Sequence, residues 1–205
     1  MAMQVPVTMP TRIPIDRRGF GEHKAMKLFQ SLFGIGLIAA VAGIGFLYSG
    51  WYPMGADVPH SQPVYWLLET LRERSIARAA GDIAVPVLDD PQWLLAGGAD
   101  YNDMCAGCHL TPERAESDMS LGLYPSPPNL ATAEGASHGG HADSAAMAQR
   151  QFWIIKHGIK ASGMPAWGPT HDDQRIWKMV AFLKKLPGLT PDQYQILTSR
   201  SGHGH

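Results

Sequence analysis

Two cysteines are all that the 205 residues contain. No disulfide framework can be built from so few once they are otherwise employed, and a structural zinc site, which wants four ligands, has no second Cys pair to draw on. Charge is equally sparse. Asp, Glu, Lys and Arg make up 17% of the chain and nearly cancel, at a net charge of -1, so no bias of one sign points to nucleic acid. A thioredoxin-like βαβ pattern around the two thiols is also missing, which removes the usual setting of a redox dithiol. What the chain has in plenty is glycine (22) and proline (16), which suits long loops wrapped around something other than protein.

Both cysteines fall in Cys105-Ala106-Gly107-Cys108-His109. Two thiols three positions apart, followed at once by an imidazole, have the spacing of a c-type haem attachment site. The sulfurs add across two vinyl groups on one porphyrin edge, and the histidine Nε2 is presented to the iron. The apolar bulk of the haem would complete the core of a small domain.

A sixth iron ligand is then needed. Of ten methionines, Met164 is the best placed, in Gly163-Met164-Pro165-Ala166-Trp167, where glycine and proline hold the chain out of a helix. Met104 adjoins the first thioether cysteine, Met119 follows close behind, and Met147 and Met179 sit in helical patterns. The competing readings are that Met164 only fills core space, as Met readily does, and that His157 supplies the ligand instead. His157 with Lys156 falls in the last turn of a helix, where a cationic cap is the ordinary role.

CAGCH, a Pro-rich loop, GMPAW and a final amphipathic helix together resemble a class I cytochrome c over roughly residues 89–187. The chain is similar to the membrane-anchored monohaem cytochromes and haem domains of proteobacterial respiratory chains, including those attached to cbb3-type oxidases. The resemblance implies an all-α fold around one covalent haem c. It also implies that a backbone carbonyl of the loop Gly122 to Leu130, from Pro127 or Pro128, accepts the Nδ1–H of His109 and so frees Nε2 for iron. Gly97 and Tyr101, four apart on one helix, would make the close crossing with the C-terminal helix.

Taken in order, residues 1–27 are polar and basic, and disorder is expected through most of them. From Leu28 to Ala56 there is no charged residue for 29 positions, enough for one membrane span over 28–52 with Trp51 and Tyr52 at an interface. Cleavage at Ala40-Val41-Ala42 as a signal peptide is the alternative; it would leave an apolar stub, and an uncleaved anchor is favoured. Residues 53–88 read as a connector with an amphipathic helix from Pro63 to Ala80, whose Arg72, Arg74 and Arg78 read as a solvated face, with contact to lipid headgroups or a partner as the alternative. The haem domain is expected over 89–188. It holds a helix opened by Asp90-Pro91, another from Asp143 to His157 stopped by Gly158, and a last one capped by Thr170 and striped with Ile176, Val180 and Leu183. Residues 189–205 read as a short turn of helix over Pro191 to Leu197 followed by a loose tail. His138 and His141, on a Gly-rich loop, and His203 and His205 read as solvated rather than metal-binding.

The expected function is a single-pass protein of a bacterial inner membrane, with its haem domain in the periplasm, that transfers single electrons and is not itself an enzyme. Its expected partners are a quinol-oxidising complex or dehydrogenase as donor and a terminal oxidase as acceptor. Membership of a larger membrane oxidoreductase is the second reading. A haem-based sensor or peroxidase is the third, and would need a labile or absent sixth ligand. A copper-handling role through the His-rich segments is a remote fourth.

Overall fold

The structure is a computed structural model that describes residues 18–137 and 144–199. It divides into two compact units, Met1–Met54 and Gly55–His205. Among the described residues every regular element is helical. Residues 1–17, His138, His141, His203 and His205 lie outside the described residues.

Among its described residues the first unit holds one helix, α1 (Arg18–Tyr48). It starts inside the segment read as a polar tail, because helix is carried back from the apolar run. Within it Lys24–Tyr48 is long and apolar enough to cross a membrane by length and composition. Its 25 residues span about 37 Å at 1.5 Å per residue, more than the roughly 30 Å of bilayer hydrocarbon. Its apolar side chains, from Leu28 to Leu47, stay exposed.

The second unit is built on α2 (Gln62–Ala80), α3 (Pro91–Met104), α7 (Ser144–His157) and α8 (Asp173–Lys185), with the short helices α4 (Ala106–His109), α5 (Asp118–Gly122) and α6 (Ala133–Ala136) in between. A 3₁₀ turn (Leu186–Gly188) leads into α9 (Pro191–Thr198). Local chemistry sets the starts. The Asp90 carboxylate accepts from the Gln92 N–H ahead of Pro91, as an N-cap should. The start of α8 departs from expectation: Asp172, not Thr170, is its N-cap, accepting from Arg175 N–H at 2.8 Å. Thr170 is occupied one turn earlier, its hydroxyl bonded to the Trp167 carbonyl and to His171 Nδ1.

The core lies where α3 crosses α8. Ile176, Met179, Val180 and Phe182 of α8 are almost wholly buried, and Tyr101 of α3 lies 5.4 Å from the Phe182 ring, centroid to centroid. The crossing is close because Gly97 has no side chain: a Cβ there would come within 1.9 Å of the Lys178 carbonyl oxygen. A bidentate pair from Arg175 to Asp100, at 2.7 and 2.8 Å, ties the same two helices. α7 joins through Phe152, whose ring stacks on Trp177 at 4.2 Å.

The folded unit is wider than the 89–188 segment at both ends. α2 buries Ile76 and Ala80 and is tied to α7 by the Arg150–Glu73 ion pair. The strap behind it is held by Gln149, whose amide donates to the Gly81 and Ile83 carbonyls. At the other end the helical turn expected over Pro191 to Leu197 forms as α9 and packs on the unit. A Thr190–Gln193 capping box starts it, Tyr194 is buried with its hydroxyl bonded to Asn102 of α3, and Leu197 presses its carbonyl against Gly98.

Candidate functional site

The site grows out of the end of α3. Cys105 N–H donates to the Tyr101 carbonyl, closing that helix, and the chain turns at once into α4, where Cys108 N–H and His109 N–H both donate to the Cys105 carbonyl. One tight turn therefore carries both thiols and the imidazole. Leu110, in the left-handed region at φ 69°, stops it. The buried Tyr101 hydroxyl donates to the carbonyls of His109 and Leu110 at 3.1 and 2.7 Å, and Ser117 Oγ donates to the Gly107 carbonyl. The segment is thus clamped from inside and outside.

His109 Nδ1 lies 2.9 Å from the Pro128 carbonyl oxygen. A carbonyl only accepts, so Nδ1 carries the proton and Nε2 is left with its lone pair. Burial pushes the His109 pKa down, and the Pro128 bond offsets that in part; the ring stays neutral, as a metal ligand requires. The sequence left Pro127 and Pro128 open; the contacting carbonyl is that of Pro128, while Pro127 lines the adjacent cavity. Burial, with Asp100 and Cys108 nearby, pushes the Cys105 thiol up to about 12.

Met164 is held by the end of α7. Gly158 leaves the helix at φ 65°, and a Cβ there would meet Met164 O, Pro165 C and Ala166 N at 2.7 to 2.8 Å. Ile159 N–H donates to Met164 O, Trp167 N–H to Ile155 O, and Gly168 N–H to Lys156 O. Met164 N–H donates to Ser162 Oγ. The loop is laced to the helix by backbone bonds, so its one long apolar side chain has a fixed point of departure.

These residues meet at one cavity of about 430 Å³, within the range of cofactor sites. Cys105, Cys108, His109 and Met164 all line it, with Pro125 to Pro128 along one wall and Leu130, Ile154, Ile155 and Leu183 supplying apolar surface. Three further methionines, Met104, Met147 and Met179, reach the same cavity. Met119 is exposed. His157 is exposed too, its ring 4.9 Å from Trp153, and neither residue lines the cavity, whereas Trp167 does. Among the described residues no cluster of three or more His, Cys, Asp or Glu could hold a metal ion. Paired thiols, an imidazole with a free Nε2 and an apolar cleft fit a covalently held haem.

Among the cavity residues that the sequence did not single out for the site are Tyr65 and Arg72 of α2 and Arg150 of α7. The available signal was helical spacing. Arg72 lies four residues before Ile76, and Ile76 four before Ala80, so Arg72 shares their buried face.

Residues 94–183, 90 of the 205, match the family model described as cytochrome C oxidase, cbb3-type, subunit III. The match runs from within α3 to within α8 and marks this segment as a c-type cytochrome domain, which binds haem c covalently. No curated protein and no solved structure matches the chain.

Proposed function

We propose that this monohaem c-type cytochrome carries single electrons on the periplasmic side of a bacterial respiratory chain, anchored by α1 in the inner membrane. The observation that carries the reading is the convergence of Cys105, Cys108, His109 and Met164 on one apolar cavity. Bound haem c supplies a one-electron couple at its iron. The chain does the rest. Cys105 and Cys108 would hold the haem by thioether bonds, and Pro128, by accepting the Nδ1–H, leaves His109 Nε2 as the nitrogen that would bind the metal. Met164 is the sixth ligand in this reading; a thioether there favours the reduced state and leaves no position for substrate. The apolar walls exclude water, which also favours the less charged, reduced centre. Donor and acceptor would be a quinol-oxidising complex or dehydrogenase and a terminal oxidase.

The family match to an oxidase subunit favours a second arrangement, in which the same domain is a fixed subunit of a membrane oxidoreductase. Mild-detergent purification followed by native gel analysis separates the two: a carrier migrates alone, a subunit with other chains.

The ligation is tested by oxidised and reduced absorption spectra of wild type, Met164→Ala and Met147→Ala. The thioether-to-ferric charge-transfer band should vanish in Met164→Ala and persist in Met147→Ala. Loss in Met147→Ala instead would move the ligand to α7. A wild type without the band that binds carbon monoxide when reduced would sink the carrier reading in favour of sensing or catalysis.

A further inference from the structure

Haem brings two carboxylates with it, and the sequence offered no way to choose their partners. Burying an unpaired carboxylate is costly, so the propionates must either reach water or meet cations. Among the described residues lining the cavity the charged side chains, His109 apart, are Arg72 and Arg150, with no Asp, Glu or Lys. We propose that Arg72 and Arg150 form the propionate-binding site, so that α2, which lies outside the family match, takes part in holding the cofactor. The inference rests on the haem occupying this cavity.

The two guanidiniums are set in place by acids that do not line the cavity. Arg72 donates from Nη2 to Glu69 and from Nε to Glu73. Arg150 places Nη1 and Nη2 on the two oxygens of the same Glu73 carboxylate, at 2.8 and 2.9 Å. Each guanidinium has five N–H donors in a planar fork and spends two of them here, which leaves donors for further carboxylate oxygens. Both side chains are largely buried, with 18% and 15% exposure, so their orientation is fixed before the cofactor arrives and their charge is poorly screened. Burial pushes the Glu73 carboxyl up, but the bonds and charge of Arg150 and Arg72 outweigh it and hold it below the usual carboxylate range. Glu73 is therefore an anion at neutral pH that positions the two cations, one from each helix. Tyr65, about two turns ahead of Arg72 on α2, lines the same cavity and adds a hydroxyl.

The consequence is electrostatic. Cations beside a propionate keep it ionised to low pH. An ionised propionate stabilises ferric iron, so the reduction potential falls as pH rises through the propionate pKa. With both arginines present that step lies on the acid side; without one of them it moves upward.

The test uses the full-length holoprotein in detergent: redox titration across pH, together with the resonance Raman propionate bending mode, for wild type, Arg72→Gln, Arg150→Gln and Arg74→Gln. Arg74 is exposed on α2 and does not line the cavity. The expected result is a shifted bending mode and a potential step moved to higher pH in the first two variants, with Arg74→Gln matching wild type. A lowered potential alone would follow from any nearby lost cation and does not count. If Arg72→Gln loosens α2, Arg72→Gln/Glu69→Gln removes the acid that loses its partner and must show the same two changes, while Arg150 still holds Glu73. Wild-type Raman mode and pH profile in both single variants, with haem still attached, would overturn the proposal while leaving the haem reading intact. Absence of thioether-linked haem in wild type would overturn both.

Discussion

Gly97→Ala is the sharpest test of how the domain is held together. In isolation the change should help, since alanine is better than glycine in a helix interior by about 1 kcal/mol. The crossing reverses that. The new methyl carbon would lie 1.9 Å from the Lys178 carbonyl oxygen, 2.4 Å from its carbon and 3.0 Å from Met179 N. All three are backbone atoms inside α8, so no side chain can swing away. Ordinary contact requires α3 and α8 to separate by roughly 1.5 Å, and a gap of 0.5–1 Å already forfeits a quarter to a half of a dispersion contact. The Tyr101–Phe182 contact and the Asp100–Arg175 pair span the same interface. Overpacking a core costs about 1–3 kcal/mol and occasionally more; a backbone collision belongs at the top of that range, so a net loss of about 2–3 kcal/mol is expected. In thermal unfolding followed by circular dichroism this is a fall of roughly 5–10 °C. Gly188→Ala is the control, because nothing lies within 4 Å of its Cβ position. A Gly97→Ala protein as stable as wild type, or more so, would refute the reasoning about this crossing.

Other expectations follow from the same contacts. Tyr101→Phe keeps the ring but strands the buried Leu110 carbonyl, while the His109 carbonyl still receives Leu130 N–H; a loss of about 1–3 kcal/mol in denaturant unfolding is expected. Gly158→Ala forces a methyl-bearing residue into the left-handed region and against Met164 O and Pro165 C. It should destabilise by about 2–3 kcal/mol and weaken the thioether charge-transfer band, whereas Gly188→Ala should leave that band alone. Glu73 has a folded pKa below its usual value, so its share of the stability is complete above the unfolded pKa of about 4.5 and is lost as pH falls through the folded value. Wild type should therefore lose stability more steeply than Glu73→Gln below about pH 4.5, measured as denaturant midpoint against pH.

What the sequence made legible was chemistry that depends on adjacency. The CAGCH spacing, the Asp90-Pro91 start, the Gly158 stop and the Ile176–Val180–Leu183 stripe are all encoded within a few residues, and each appears in the fold as read. The errors came where two local solutions competed or where only tertiary contact decides. Thr170 and Asp172 are both good caps, and the structure uses the carboxylate because the hydroxyl is already engaged. α4, α5 and α6 span four or five residues each, too few for periodicity to register. The helical turn expected over Pro191 to Leu197 forms as α9, but only tertiary contact shows that it packs, with Tyr194 against Tyr101 and Phe182.

Arg72 shows the deeper limit. In the sequence it stands with Arg74 and Arg78 in a basic run, and a basic run is ordinarily a solvated face. Along the helix, however, the three diverge. Arg74 is exposed, whereas Arg72 turns with Ile76 and Ala80 toward α7 and meets Glu69 and Glu73 on the way. Helical spacing alone separates these residues, but it cannot say that the inward face ends at a cofactor cleft rather than at plain core. That knowledge requires Arg150, 78 residues further along, to arrive on α7 and share Glu73. A paired arginine at the wall of an apolar cavity is a poor investment for stability, since such a pair seldom outperforms packed hydrocarbon. Besides tying α2 to α7, such a pair gains a use under the proposal above, since haem is the group in the reading that brings anions into this cleft.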